Sequence, residues 1–477
     1  MIRIVNPDAG GIDIGSEEVY VAVPEDRDEQ SIRCFGVFTV DIDEMAKWLK
    51  ACRITTVALE STGVYWIPIY TILQDYGIAV QLVNARHIKN VPGRKSDVRD
   101  CRWLQELHTL GLLRASFIPD EVIVVLRSYM RHRDGLIEHR AVHVNHMQKA
   151  MTQMNVRLNE VLTDITGTTG MAIIRAIAGG EQRPEQLLKL RNKRCQRSEV
   201  DFVKALTANY RAEHLFALKQ SLALYDFYSE QIKACDNQVK TYMATINPID
   251  HDQDTGGADG SPRLPLGPSR KTGTHSKNAP DFDVRGELYR LTGVDLTDVD
   301  GLHASTAQTI ISEIGMDMSK WPTAKHFAAW MGLAPKNDIT GGRVRRSRTL
   351  PGNRRASQAL RMAAQTLLKS KSALGAYARM MRARVGPQQA IVATAHKLAR
   401  IIYTMLKDKK PFIAASAEDY DKAQHARELK TVKRRAAKLG LTLVPSSFYA
   451  AQRRMTIAHY ASARNRAASS SSLRLSE

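Results

Sequence analysis

The sequence predicts an α/β N-terminal domain, a long helical middle and a mostly α C-terminal domain. Three observations carry that expectation. Strand-like and helix-like segments alternate up to about residue 118, and apolar residues then recur at three- and four-residue spacing from Glu121 to Leu162. A polar stretch rich in Gly, Pro, Ser and Asp, 247–283, separates these helices from a second ordered region.

Within the first domain, "GIDIGSEEVYVAVPEDR" reads as a strand, a tight turn and a returning strand, and "SIRCFGVFTV" as a third strand. The helical "DIDEMAKWLKAC" follows, with Asp41 or Asp43 as its cap. "TTVALES" is a buried strand, "VYWIPIYTILQDYG" a helix closed by Gly77, "IAVQLVNA" a strand and "SDVRDCRWLQELHTLGLL" a helix. Three antiparallel strands followed by strand–helix alternation is the order of an RNase H-like mixed sheet. The expected organisation is 1–118 for this domain, 119–246 for a helical hairpin or coiled coil suited to dimerisation, and 247–283 for a disordered linker. Residues 284–412 then form the C-terminal domain, and 413–477 a basic, partly disordered tail.

The chain has 477 residues, 43% of them hydrophobic, enough for two or three domains. No apolar run approaches the length of a membrane span, and no signal-peptide layout opens the chain, so a bacterial, cytoplasmic, nucleoid-associated protein is expected. Five scattered cysteines argue against a disulfide framework and a zinc ribbon. Lys and Arg outnumber Asp and Glu by 69 to 49, and a net charge of +20 calls for a polyanionic partner such as DNA or RNA.

Four acids stand in chemically suggestive places. Asp13 interrupts an apolar strand, where a carboxylate is costly unless something pairs with it. Glu60 ends the next buried strand, and Asp97 and Asp100 share one face of a helix start. Such carboxylates can converge on divalent cations that assist phosphodiester cleavage, and hard oxygen donors without His or Cys favour Mg2+ or Mn2+. Individually the acids also read as a strand-end acid at Glu60 and ordinary first-turn acids at Asp97 and Asp100. "GIDIGS" with "DITGG" faintly echoes the phosphate loops of actin-like ATPases and sugar kinases, but no adenosine-binding loop accompanies them.

The set "GIDIGSEEVYVAV", "ALESTGVYWIPIYTIL", "VQLVNARHIKNVPGRKSDVRDCRWLQELHTLGLL" and "FAAWMGLAP" resembles the DEDD transposases of bacterial insertion sequences (the one-ten family), recombinases guided by a bridge RNA. The resemblance covers roughly residues 9–118 and 290–412. It implies a domain like the junction resolvase RuvC, a coiled coil and a C-terminal transposase domain, with Asp13, Glu60, Asp97 and Asp100 as the metal-binding tetrad. It also implies a serine nucleophile after the "GL-P" segment, donor and target DNA as substrates, a structured guide RNA, and dimers that pair into tetramers in synapsis. Matching "MGLAPKNDITGG" to that pattern puts Thr340 where the family has serine, with Ser347 as the alternative hydroxyl. The alternative for "DITGG", given its Gly pair, is a simple β-turn.

Seven arginines fall within residues 343–361 with no acid among them: Arg343, Arg345, Arg346, Arg348, Arg354, Arg355 and Arg361. They suit phosphate contact near a cut and stabilisation of a pentavalent transition state. "DVDGLHASTAQTIISEIG" weakly resembles a helix-hairpin-helix. His132, His139, His143 and His146 fall on one side of the first long helix and read as a polar or RNA-facing stripe rather than a metal site. The expected function is strand transfer by a DNA transposase. The alternatives are a RuvC-like nuclease that hydrolyses with metal-activated water and, less favoured, a non-catalytic nucleic-acid-binding protein.

Overall fold

The computed structural model describes residues 4–61, 63–84, 97–247, 266–269, 277–414 and 416–442, without the side chains of residue 97 and of several residues in 417–424. The chain divides into two compact units, Met1–Pro119 and Asp120–Glu477.

The first unit is a mixed α/β domain. Its strands are β1 (Ala9–Ile14), β2 (Glu18–Ala22), β3 (Ile32–Gly36), β4 (Thr56–Glu60) and β5 (Ala79–Val83), in the order β3-β2-β1-β4-β5. β1 runs antiparallel to β2 and parallel to β4, which in turn runs parallel to β5. Helices α1 (Thr39–Ala51) and α2 (Trp66–Asp75) cover one face, where Ile12, Ile14, Val57 and Leu59 join Met45, Leu49, Ile69 and Leu73 in the core. The other face carries α3 (Asp97–Thr109), with Leu104 against Ala58 and Val83.

Two local details explain the element ends. α1 begins two residues before its expected start, because the Asp41 carboxylate accepts the Phe38 amide at 3.1 Å from inside the first turn rather than from the cap position. Gly77 takes φ +68° just past α2, a conformation that favours glycine.

The second unit is mostly helical. α4 (Glu121–Gln153) packs along α9 (Ala212–Thr245), and α5 (Leu158–Val161), α6 (Thr168–Ala178), α7 (Pro184–Leu188) and α8 (Glu199–Leu206) lie between them in sequence. Met147, Met151, Ile173, Ile177, Phe202 and Leu218 form their common core. The helical periodicity read through Leu162 is broken at 154–157, where Asn155 adopts φ +61°, a left-handed conformation its short polar side chain tolerates. Likewise the second half of the expected helical hairpin is interrupted at 207–211, between α8 and α9. Inside the α4–α9 pair, Arg133 and Asp236 form a buried ion pair, each about one-twentieth exposed, at 4% and 5%.

Most of the stretch expected as a linker lies outside the described residues. Its end does not: Arg133 donates to the Asn278 carbonyl at 2.8 Å and Arg140 to the Asn278 side-chain oxygen at 2.6 Å. Order continues through α10 (Val284–Thr292), α11 (Ala304–Ile314), α12 (Ala324–Trp330), the hairpin β6 (Pro335–Thr340) and β7 (Arg343–Thr349), and α13 (Arg354–Leu367). α14 (Ala373–Val385), α15 (Pro387–Asp408) and α16 (Ala417–Lys438) follow, so the basic tail contains a helix before the described residues end at 442.

Candidate active site

The position of the first acid follows from strand alternation. Gly11 and Asp13 lie two apart on β1 and share one face, opposite the core-facing Ile12 and Ile14. α3 packs on that face, and its path is fixed at both ends. His108 Nε2 lies 2.9 Å from Thr56 Oγ1, and Thr56 pairs with Ala9 at the start of β1. Further along, Cys101 and Gln105 cross Gly11 so closely that a Cβ there would lie 2.3 Å from the Cys101 carbonyl oxygen and 2.3 Å from the Gln105 nitrogen. Going forward along β1 toward Asp13 therefore means going back along α3 toward Asp100 and Asp97.

Glu60 joins them through register. Ile12 pairs with Leu59, so the next residues, Asp13 and Glu60, stand side by side at the ends of parallel strands. Ala58, two before Glu60, faces α3, so Glu60 points to the same side. Asp13, Glu60 and Asp100 are all half-buried. The buried Cys101 thiol beneath them is pushed up to about 12, by burial first and by the Asp13 charge second, so it stays protonated. Tyr20 of β2 stands across from Asp13, and Glu18, two residues before it on the same face, accepts the Tyr20 hydroxyl at 2.8 Å. The sequence reading passed it over because it lies in an exposed turn-side position with no apolar contrast.

Asp97 opens α3, but its side chain lies outside the described residues. Among the described residues, no three His, Cys, Asp or Glu side chains converge as a metal-ligand group. The backbone thus brings the acids to one edge of the sheet without closing a ligand set, although the all-oxygen donor chemistry suits a hard divalent cation.

Thr340 and Ser347 belong to the β6–β7 hairpin. Gly341 and Gly342, at φ +57° and +74°, form its two-residue turn, the geometry that requires positive φ at both central positions. A register shift follows Asp338, which pairs with Arg346, while Ile339 pairs with Val344 and Thr340 with Arg343. Cross-strand partners share a face. Thr340 therefore lies with Arg343, Arg346, Asp338, Lys336 and Arg348, whereas Ser347 lies with Asn337, Ile339 and Val344 on the reverse. Arg343, Arg345, Arg346, Arg348 and Arg354 are exposed. Arg355 is half-buried and paired with Asp134 of α4.

The hairpin has no core of its own and is held at its neck. Gly332, at φ +71°, and Gly352 pass in backbone contact: a Cβ on Gly352 would lie 2.3 Å from the Gly332 nitrogen. Asn353 caps α13 by accepting the Ala356 amide at 3.1 Å and donates to Glu313 Oε2 at 3.1 Å. Glu313, 1% exposed at the end of α11, also receives both arms of Arg131, at 2.9 and 2.8 Å. Burial pushes the Glu313 carboxyl up, but Arg131 and Asn353 hold it below its ordinary value. Arg127 donates to the Glu313 carbonyl at 2.6 Å. Arg127, Arg131 and Asp134 recur at i, i+4 and i+7, so one stripe of α4 anchors the base of the hairpin.

The histidine stripe has an aromatic partner. His139 and His143 both lie nearly parallel to the Tyr228 ring, with centroids 5.5 Å apart. Burial, followed by His146 and His139, pushes the His143 imidazole down.

Residues 10–156 match the DEDD transposase model of the IS110 type, and residues 295–379 match the model described as Transposase IS116/IS110/IS902 family. The chain belongs to the IS110 family of DEDD transposases. The first match spans the acidic edge and all of α4, and the second spans the Glu313 anchor and the hairpin. The transposase is accordingly an enzyme that acts on DNA. Comparison with curated proteins found no match. Among the described residues, no helix is long and apolar enough to cross a membrane.

Proposed function

We propose that this transposase cuts and rejoins DNA strands through a covalent protein–DNA intermediate, with Asp13, Glu60, Asp97 and Asp100 as its acidic site and Thr340 as its nucleophile. The observation that carries the reading is the close crossing of α3 over Gly11, which aligns acids from two strands and a helix at one edge. The strand order β3-β2-β1-β4-β5 supports an RNase H-like fold for that domain. Mg2+ or Mn2+ held by the four carboxylates would supply charge neutralisation at the scissile phosphate.

The chain's own groups do the rest. The Thr340 hydroxyl gives up its proton and attacks phosphorus, forming an O–P bond as the bond to the leaving strand breaks, and the leaving oxygen takes up a proton from solvent, so that no net proton is gained or lost. The phosphoester bond is conserved, so rejoining needs no external energy source. Arg343, Arg346 and Arg348 share the face of Thr340 and suit the added charge of the pentavalent state. Ser347 lies on the opposite face with Ile339 and Val344, which favours Thr340 as the attacking hydroxyl. A structured guide RNA and oligomeric synapsis belong to this reading through the family resemblance.

A nicked suicide DNA substrate tests it. The expected result is a covalent adduct in the wild type, reduced at least about 100-fold in Asp13→Asn with the fold intact. Cleavage without an adduct would replace the reading by hydrolysis with water, and unchanged strand transfer in Asp13→Asn would remove the acidic site from it.

A further inference from the structure

The C-terminal helices hold a cluster of cations that the acidic site and the hairpin leave unused. Lys397 of α15 is half-buried, with Nζ 4.0 Å from the ring centroid of Tyr377 on α14 and 5.4 Å from that of Tyr420 on α16. Arg384 and Arg400 both act electrostatically on the Tyr377 hydroxyl, and Arg427 of α16 acts on Lys397. Burial, then Arg427, pushes the Lys397 ammonium down. Among the described residues, none of these four cations forms an ion pair with a carboxylate.

Four positive charges from three helices are thus gathered around the Tyr377–Lys397–Tyr420 cluster, with Arg427 repelling the partly desolvated lysine. The tyrosine rings offset part of that cost for Lys397 through cation–π attraction. They do nothing for Arg384, Arg400 and Arg427, which stay exposed and point to a multivalent anion as the missing countercharge. The cluster also lies beyond the hairpin in sequence, mostly past the last residue, 379, matched to the family.

We propose that Lys397, Arg384, Arg400 and Arg427, framed by Tyr377 and Tyr420, form a second backbone-phosphate contact for duplex DNA, to which the tail helix α16 contributes. The proposal rests on the transposase reading for its choice of DNA but not for its test. Phosphate contact of this kind adds affinity without sequence preference and shows itself in salt dependence.

The test is the binding of the full-length chain to a labelled linear duplex, measured by anisotropy across a salt series. Arg400→Gln with Arg427→Gln changes two exposed residues, and melting curves check that the fold is retained. The expected result is weaker binding and a log–log salt slope shallower by about one unit for each arginine removed. Lys397→Met, scored in the same way, separates a phosphate contact from a purely structural fastening of α16, which would lower the melting temperature and leave the slope alone. An unchanged slope in the double variant overturns the proposal, and so does a loss seen only with a structured RNA probe. Adduct formation is scored on the same preparations. Normal adduct with an unchanged slope defeats this contact alone, whereas a shallower slope in a chain that never forms an adduct defeats the transposase reading and leaves the contact standing.

Discussion

The acidic edge and the arginine-rich hairpin are held in place by opposite means. Asp13 and Glu60 sit on strands whose reverse face is a continuous apolar core, and α3 presses against β1 with no room for a side chain at Gly11. Thr340 sits on an exposed ribbon that is fastened by a glycine crossing at its neck and a charge network on α4. One set of groups is positioned by packing, the other by a few polar links at a distance. Packing fixes an edge against small shifts, while a ribbon anchored only near its base leaves its tip exposed.

That contrast has consequences of graded size. The largest is expected from Gly11→Val, which drives a side chain into the α3 backbone. It should cost on the order of 3 kcal/mol or more and abolish cleavage, read by denaturant melts and a nicking assay. A variant that melts like the wild type would mean that α3 is not held as described. Next is Glu313→Gln, which removes the buried carboxylate that half-buried Arg127 and exposed Arg131 share, and should cost about 2–3 kcal/mol.

Glu313 also gives that network a pH signature. Its carboxyl lies below its ordinary value in the fold, so its stabilisation is fully present above the unfolded pKa and is lost as pH falls through the folded one. Melting temperature should therefore drop on acidification more steeply in the wild type than in Glu313→Gln, and equal slopes would remove the anchor from the account. The smallest effect is expected from Ile339→Thr on the reverse face of the hairpin. With that side chain 62% exposed, stability should change by less than about 0.5 kcal/mol and adduct formation should hardly change.

The two regions also differed in how far they were legible beforehand. Asp13 stood out because a strand's alternation makes a mid-strand acid conspicuous, and the succession of strands and helices followed from local periodicity. The Gly341–Gly342 turn was equally readable, since its conformation is demanded by two adjacent residues. The anchor was not, because Arg131 and Glu313 are 182 residues apart and each looks like an ordinary charged helix position. The break at Asn155 was hidden for another reason: the apolar spacing continues through it into α5, and only the backbone reverses. The opposed faces of Thr340 and Ser347 depend on a one-residue register shift that no pattern of side chains announces.

The central claim is that the hydroxyl on the arginine face of the hairpin attacks DNA. Its most direct test is to trap the adduct on a suicide substrate, digest it and locate the modified residue by mass spectrometry. The account predicts DNA phosphate on Thr340, lost in Thr340→Ala and retained in Ser347→Ala. Modification of Ser347, or an adduct that survives Thr340→Ala, would contradict it.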